Sequence, residues 1–482
     1  MSRSAKDPER AELWAWSAAR LADAIARKAL SPVEVVEAVL ARIERVDPPL
    51  NAFATVTADL ARAAAHRAED QVMRGAPLGR LHGVPFSVKD TLDTAGVRTT
   101  LGALRFAERV PKEDAVVVAR LHAAGAILVG KTTTPEFAHK GVTDSALFGA
   151  TRNPWASAYT CGGSSGGAAV AAATGMGPLA IGTDEGGSIR IPASYCGVVG
   201  LKPTFGLIPR VPVGVAELLT HLGPLCRTVE DAALFLSVTA GRDDRDGWSV
   251  PGELPDYTQA LRQPPPALRV AWSPRLGYAA ADPEVVRVTG TAVARFSGLG
   301  WTVEEADPGF DDPAEVADAF RYPGLAAAIG DDLEPERARM DPSLVALVEA
   351  GRRMTAVQVA QAATRRHALW AQLDRFFARY DLLATPAVAV PPFPIGTPPP
   401  REIDGRAVGW RGWIAYTYPF NVTGVPAIVL PAGRTVAGLP VGLQLVGRRL
   451  DDARLLAAAA AFEAAAPWAD HWPPVAAQPE RP

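Results

Sequence analysis

Two short stretches concentrate residue types able to do acyl chemistry. "YTCGGSSGGAAVAAATG" begins at Tyr159 and "GTDEGGSIRIPAS" at Gly182, so Ser164 and Ser188 each stand directly behind a glycine pair. A serine hydroxyl is a poor nucleophile until a neighbour takes its proton, and neither serine has a histidine close by in the sequence. A glycine-rich turn running into a helix presents unpaired N–H groups and the positive end of the helix dipole. Glycine also lets the backbone approach a substrate closely. Two such turns in quick succession suit an oxyanion hole. Taken alone, a Gly/Ser run is more often a linker or a tight turn.

Two familiar serine or phosphate motifs fit poorly. Gly162–Gly166 matches G-x-S-x-G with Ser164 at its centre, but that motif needs an apolar strand just before the turn. Here "NPWASAYTC" precedes it, and His221, His367 and His471 sit in unremarkable contexts. A phosphate loop would end in G-K-[ST], which is missing. Cys161 as a thiol nucleophile is outweighed by a small buried residue.

The elements that must position these serines read as alternating helices and strands. Residues 12–47 predict two helices, the second opened by Ser31 as N-cap with proline next. An Ala-rich helix is expected over 57–73. In "GRLHGVPFSVKD", Val84, Phe86 and Val88 alternate with Pro85, Ser87 and Lys89, a short strand with Ser87 and Lys89 on one face. "DAVVVARLHAAGAILVGKT" reads as helix, glycine stop and buried strand. A second α/β unit is expected at about 266–310, followed by a helical region at about 311–380. The pattern predicts an α/β fold whose sheet is covered on both faces. No flexible linker interrupts it, so one domain over 1–482 is expected. Proline-rich 391–400 is expected as a loop able to line a cleft.

The bulk numbers exclude several classes. The net charge of −3, without a long Lys/Arg run, does not suggest a nucleic-acid or anionic-membrane partner. The N-terminal "MSRSAKDPERAELWAW" lacks the apolar core of a secretion signal, and no apolar run approaches the roughly 18 residues of a membrane span. Three cysteines without C-x-x-C spacing fit a reducing, cytoplasmic setting and no zinc site.

Taken together, "GGSSGG" followed by "GTDEGGSIRIPAS" resembles the signature of the amidase signature family, which hydrolyses amides and related acyl compounds. "HGVPFSVKD", "KGVTDSALFGATRNPW", "GLKPTFGLIP", "GPLCRTVEDAA", "YPFNVTGVPAIVLPAG" and "GLPVGLQLVG" resemble further blocks, in family order over about 15–465. The resemblance implies a large mixed β-sheet with helices on both faces and a signature core at about 75–240. It implies a Ser–Ser–Lys triad of nucleophile Ser188, bridging Ser164 (after a cis peptide bond) and base Lys89. It implies an oxyanion hole from the amides of Glu185, Gly186, Gly187 and Ser188. Ser165 is expected to bond within the site, and Ala138, His139, Lys140 and Gly141 to border the acyl pocket. No metal or cofactor is implied. Asp184 and Arg190 read as structural. Glu185 departs from the small or neutral residues common at its position, and Cys161 from the proline of many relatives.

A lysine can serve as base only when neutral, whereas its reference pKa is about 10.4. Burial beside hydroxyls without a carboxylate partner lowers that value. The substrate is expected to be a small amide, with carbamates and esters close in chemistry and a homodimer left open. The pocket wall is expected from 311–380 and the loops near 391–420. Two alternatives stay open. One is the glutamine-hydrolysing subunit of a tRNA-dependent amidotransferase, which Ile414 disfavours because those relatives carry an aspartate near that position. The other is an inactive member acting as a binding protein.

Overall fold

The computed structural model describes residues 10–214, 216–263, 265 and 267–476; part of the N-terminal stretch weighed above as a secretion signal, residues 1–9, lies outside them. Ser31 caps the helix Pro32–Val46 in a full capping box with Glu34, as its spacing predicts. The Ala-rich helix runs Ala58–Arg74 and stops at left-handed Gly75.

Fifteen strands form among the described residues. They are β1 (Phe53–Val56), β2 (Pro85–Lys89), β3 (Ile127–Thr132), β4 (Asp144–Ser145), β5 (Gly149–Ala150), β6 (Leu179–Asp184), β7 (Val199–Lys202) and β8 (His221–Cys226), then β9 (Arg269–Trp272), β10 (Thr302–Glu305), β11 (Leu382–Pro386), β12 (Glu402–Ile403), β13 (Arg406–Ala407), β14 (Ala427–Arg434) and β15 (Pro440–Val446). Eleven make one sheet in the order β1-β3-β2-β6-β8-β7-β14-β15-β11-β9-β10, while β4–β5 and β12–β13 are separate ribbons. The sheet is mixed. β2 runs parallel to β3 and β6, the β6–β8–β7–β14–β15–β11 run is antiparallel, and β11, β9 and β10 are parallel. The α/β unit at 266–310 adds its two strands to this same sheet.

Strand periodicity sends alternate side chains to opposite faces, and the core divides accordingly. Leu179, Ile181, Ile428 and Leu430 join one cluster with helix residues Val117, Leu121, Phe235 and Leu456. Ala180 and Val429 join another with Val39, Ile43, Ala65 and the alanines of the helix Gly166–Thr174. Helices therefore cover both faces. The region 311–380 is helical, chiefly Ala314–Ile329, Pro342–Arg353 and Ala356–Phe377.

The segment 391–400 is an extended stretch paired with the chain ahead of the first serine. Thr160 donates its amide to Phe393 O, Ile395 to Ala158 O, and Tyr159 bridges Pro394. Those bonds pin the segment beside the approach to the first serine. Trp413, Tyr416, Tyr418 and Phe420 farther on are buried core residues.

Candidate active site

β2 alternates as its sequence predicts. Phe86 and Val88 enter the apolar core, and Lys89, at the strand's end, is fully buried. Its Nζ lies 2.7 Å from Ser164 Oγ, 3.0 Å from Ser165 Oγ and 2.8 Å from Thr183 Oγ1. Burial pushes its pKa down to about 7, against the raising influence of Asp184 and Glu185. Three hydroxyls can serve an ammonium, which donates three protons, or a neutral amine, which donates two and accepts one. Ser165 Oγ donates to Thr183 O at 3.1 Å, so toward Lys89 it accepts. Ser164 Oγ and Thr183 Oγ1 remain, and a neutral amine that accepts from Ser164 would have the orientation a proton transfer needs.

Ser164 is buried, and the Gly163–Ser164 peptide bond is cis. The helix Gly166–Thr174 starts right after Ser165. It can pack there because a Cβ on Gly167 would lie 2.4 Å from Thr133 Oγ1. Cys161 is buried, with its thiol pushed up to about 12 by burial, so it offers no nucleophile.

The Ser188 turn is built around a buried ion pair. Arg190 donates from Nε and Nη2 to Asp184 at 3.0 and 2.9 Å, and also reaches Thr417 O, Gln444 Oε1 and Asn421 Oδ1. Asn421 in turn donates to Asp184 Oδ1. Burial alone would raise the Asp184 pKa, but Arg190 and Asn421 hold it below the usual carboxylate range. Thr417 Oγ1 donates to Gly186 O at 2.6 Å and would lie 2.4 Å from a Cβ on Gly187, whose φ is +126°.

One amide of the expected oxyanion set is engaged in this ring of bonds. Gly187 N–H is already given to Asp184 Oδ1 at 2.8 Å, because a buried carboxylate must gather donors. No protein acceptor among the described residues takes the amides of Glu185, Gly186 or Ser188. Removing one partner of a buried ion pair costs about 3–5 kcal/mol. Asp184→Met is therefore expected to lose that much stability in urea titration, whereas a loss below about 1 kcal/mol would show that the pair does not hold the turn.

Ser164, Ser188, Thr183, Glu185 and Ala138 line one cavity of about 670 Å³. Leu101, Phe106, Phe137, Leu222 and Ala327 make its apolar wall, while Asp93, Arg105, Arg109, Arg210 and Glu217 add charge. Gly324, Ala327 and Ala328 represent the expected helical region, but no residue of 391–420 is among its lining. His139, Lys140 and Gly141 are also missing from that wall. The His139 ring lies between Glu136 O and Ser343 Oγ, Lys140 is held by Asp144 and Asp341, and Gly141 packs on Trp413. A larger cavity of about 810 Å³, flanked by Trp248 and Trp370, contains neither serine.

Sequence reasoning did not single out Thr183, Thr417, Asn421 or Arg321 at this site. Arg321, on the helix Ala314–Ile329, is 2.8 Å from Glu185 Oε1. Thr183 offered a signal as a hydroxyl inside the second motif. The others lie far along the chain, Asn421 being 231 residues from Arg190.

Among the described residues, no group of three or more His, Cys, Asp or Glu could hold a metal ion, and no helix is long and apolar enough to cross a membrane. The sequence profile of the Amidase family matches residues 34–456. An acylamidase of Rhodococcus erythropolis is 40% identical over 95% of this chain and 97% of its own. A glutamyl-tRNA(Gln) amidotransferase subunit of Moorella thermoacetica is 37% identical over 94% and 97%. A bacterial aryl acylamidase structure superposes with a TM-score of 0.91 at 33% identity, covering 96% of this chain and 99% of that one.

Proposed function

The chain belongs to the amidase signature family and hydrolyses amide C–N bonds, and from that premise we propose that it is a stand-alone acylamidase working through Ser188, Ser164 and Lys89. The observation that carries this reading is the contact of buried Lys89 Nζ with Ser164 Oγ at 2.7 Å, with Ser164 and Ser188 lining one cavity. Neutral Lys89 takes the Ser164 proton as Ser164 takes that of Ser188. Ser188 Oγ then forms a bond to the carbonyl carbon, and the carbonyl electron pair moves to oxygen. The free amides of Glu185, Gly186 and Ser188 are the donors available to that oxyanion.

Collapse of the tetrahedral intermediate breaks the C–N bond. The proton returns through Ser164 to the leaving nitrogen, which departs as neutral amine. Water then adds to the Ser188 ester with the same relay run again, freeing the acid and restoring Lys89 as a neutral base. The scheme involves no electron transfer and needs no cofactor.

The cavity favours aryl or alkyl amides. Its apolar wall of Phe106, Phe137 and Leu222 can take a ring or chain, and its charges are largely paired, as in Arg109–Asp93 at 2.7 Å and Arg321–Glu185. Carbamates share the shape and polarity of amides, so urethane hydrolysis belongs to the same reading. The glutamine-hydrolysing alternative is less well supported, since Ile414 is buried in the core. The test is parallel initial rates on an aryl amide, a matched aryl carbamate and glutamine, with Ser188→Ala as control. Amide turnover well above glutamine turnover is expected, and glutamine as the sole substrate would overturn the stand-alone reading.

A further inference from the structure

The helix Ala314–Ile329 does more than wall the cavity. Gly324, Ala327 and Ala328 line the cavity, while Arg321, one turn before Gly324, reaches Glu185 of the Ser188 turn, and Asp318 reaches Arg411. Arg321 is buried, pairs with Glu185 at 2.8 Å and donates to His139 O. Asp318 accepts from Arg411 Nε at 2.9 Å. Trp410 lies against both guanidinium groups, its ring centroid 5.8 Å from that of Arg321 and 4.2 Å from that of Arg411. A Cβ on Gly186 would be 3.5 Å from Arg411. Two pairs of opposite sign thus bracket the turn that follows β6.

We propose that Arg321 is a positioning residue that cancels the charge of Glu185 beside the nucleophile turn, so that Lys89 stays neutral and able to act as base. The inference rests on the triad reading above. Lys89 Nζ touches Thr183, two residues before Glu185, and the side chain of Glu185 is only 19% exposed, so its charge is poorly screened by water. An unpaired carboxylate there would favour the ammonium and remove the base.

The charged groups acting on Lys89 are Asp184 and Glu185. Asp184 is matched within the turn by the two-point contact of Arg190. Glu185 feels Arg321 from the helix, Arg210 from the segment before β8 and Arg411 from the segment before Trp413. Arg411 is matched by Asp318, and Arg210 by Glu217 and Asp246. Arg321 is the cation left to answer Glu185.

The experiment is the pH profile of kcat/KM on an aryl amide for R321Q, R321K and R321Q/E185Q, with S188A as control. R321Q is expected to move the acid limb up by about one pH unit, a loss of about tenfold at pH 6 that narrows as pH rises to 9. R321K is expected to keep the limb near its original position, and the double variant to return it there or lower. Equal loss at every pH in R321Q, an unmoved limb, or a double variant that keeps the raised limb would overturn the proposal. Should R321Q fail to fold, the limb positions of R321K and the double variant decide by the same criteria. Activity surviving in S188A would instead overturn the triad reading itself.

Discussion

Ser188→Ala is expected to lower kcat by roughly 10⁴-fold or more on any amide the enzyme turns over, with little change in fold or KM. In serine hydrolases the nucleophile acts as a unit with its proton acceptor, and losing it removes nearly all the catalysis the unit provides. Ser188 is partly exposed in the cavity, and no hydrogen bond of its hydroxyl to another described residue holds the surrounding structure together. Its removal therefore leaves Lys89, Ser164 and the Asp184–Arg190 pair in place. The check is single-turnover kinetics together with labelling by a fluorophosphonate, which should mark Ser188 in the parent and nothing in the variant. A variant retaining a tenth of the parent rate would place the nucleophile elsewhere.

The second large effect concerns Lys89. Lys89→Met keeps the volume and apolar stem but removes the amine, and a positioned general base contributes about 10²–10⁴-fold. A drop of that order in kcat/KM is expected, together with loss of the acid limb. The sign follows from the protonation states. In the proposed relay Lys89 works unprotonated, and burial brings its pKa down to about 7. The parent should therefore lose activity about tenfold per pH unit below 7 and level off above it. Lys89→Met should be slow and flat across that range. A variant that kept the parent's limb would show that another group titrates there.

Much of this was legible locally. The Ser31–Glu34 capping box, the alternation of β2 and the two glycine–serine turns depend on residues within a few positions of each other, and they form where their spacing puts them. What a linear reading missed depends on contacts made only after folding. Asp184 and Arg190 read as structural, yet that they commit the Gly187 amide could not be foreseen. The loops near 391–420, rich in Trp, Tyr and Pro, read as part of a pocket wall because composition cannot tell a wall from a core. Trp413, Tyr416 and Phe420 in fact pack inside, behind the turn. His139 and Lys140 stand next to Ala138, but a histidine with two partners and a lysine between two carboxylates are held where those partners lie.

The ring of bonds around Arg190 has a consequence for how this catalyst can be divided or borrowed. Lys89, Ser164 and Ser188 fall in the first two-fifths of the chain, but the groups clamping the Ser188 turn, Thr417, Asn421 and Gln444, arrive in the last seventy residues, from the stretch before β14 and from β15. A fragment ending after β8 would carry all three side chains of the proposed triad and none of that clamp. Grafting "GTDEGGSIRIPAS" onto another scaffold would leave a buried arginine with three acceptors missing. The signature is therefore not a portable cassette: hydrolytic competence belongs to the closed circuit between the two ends of the chain.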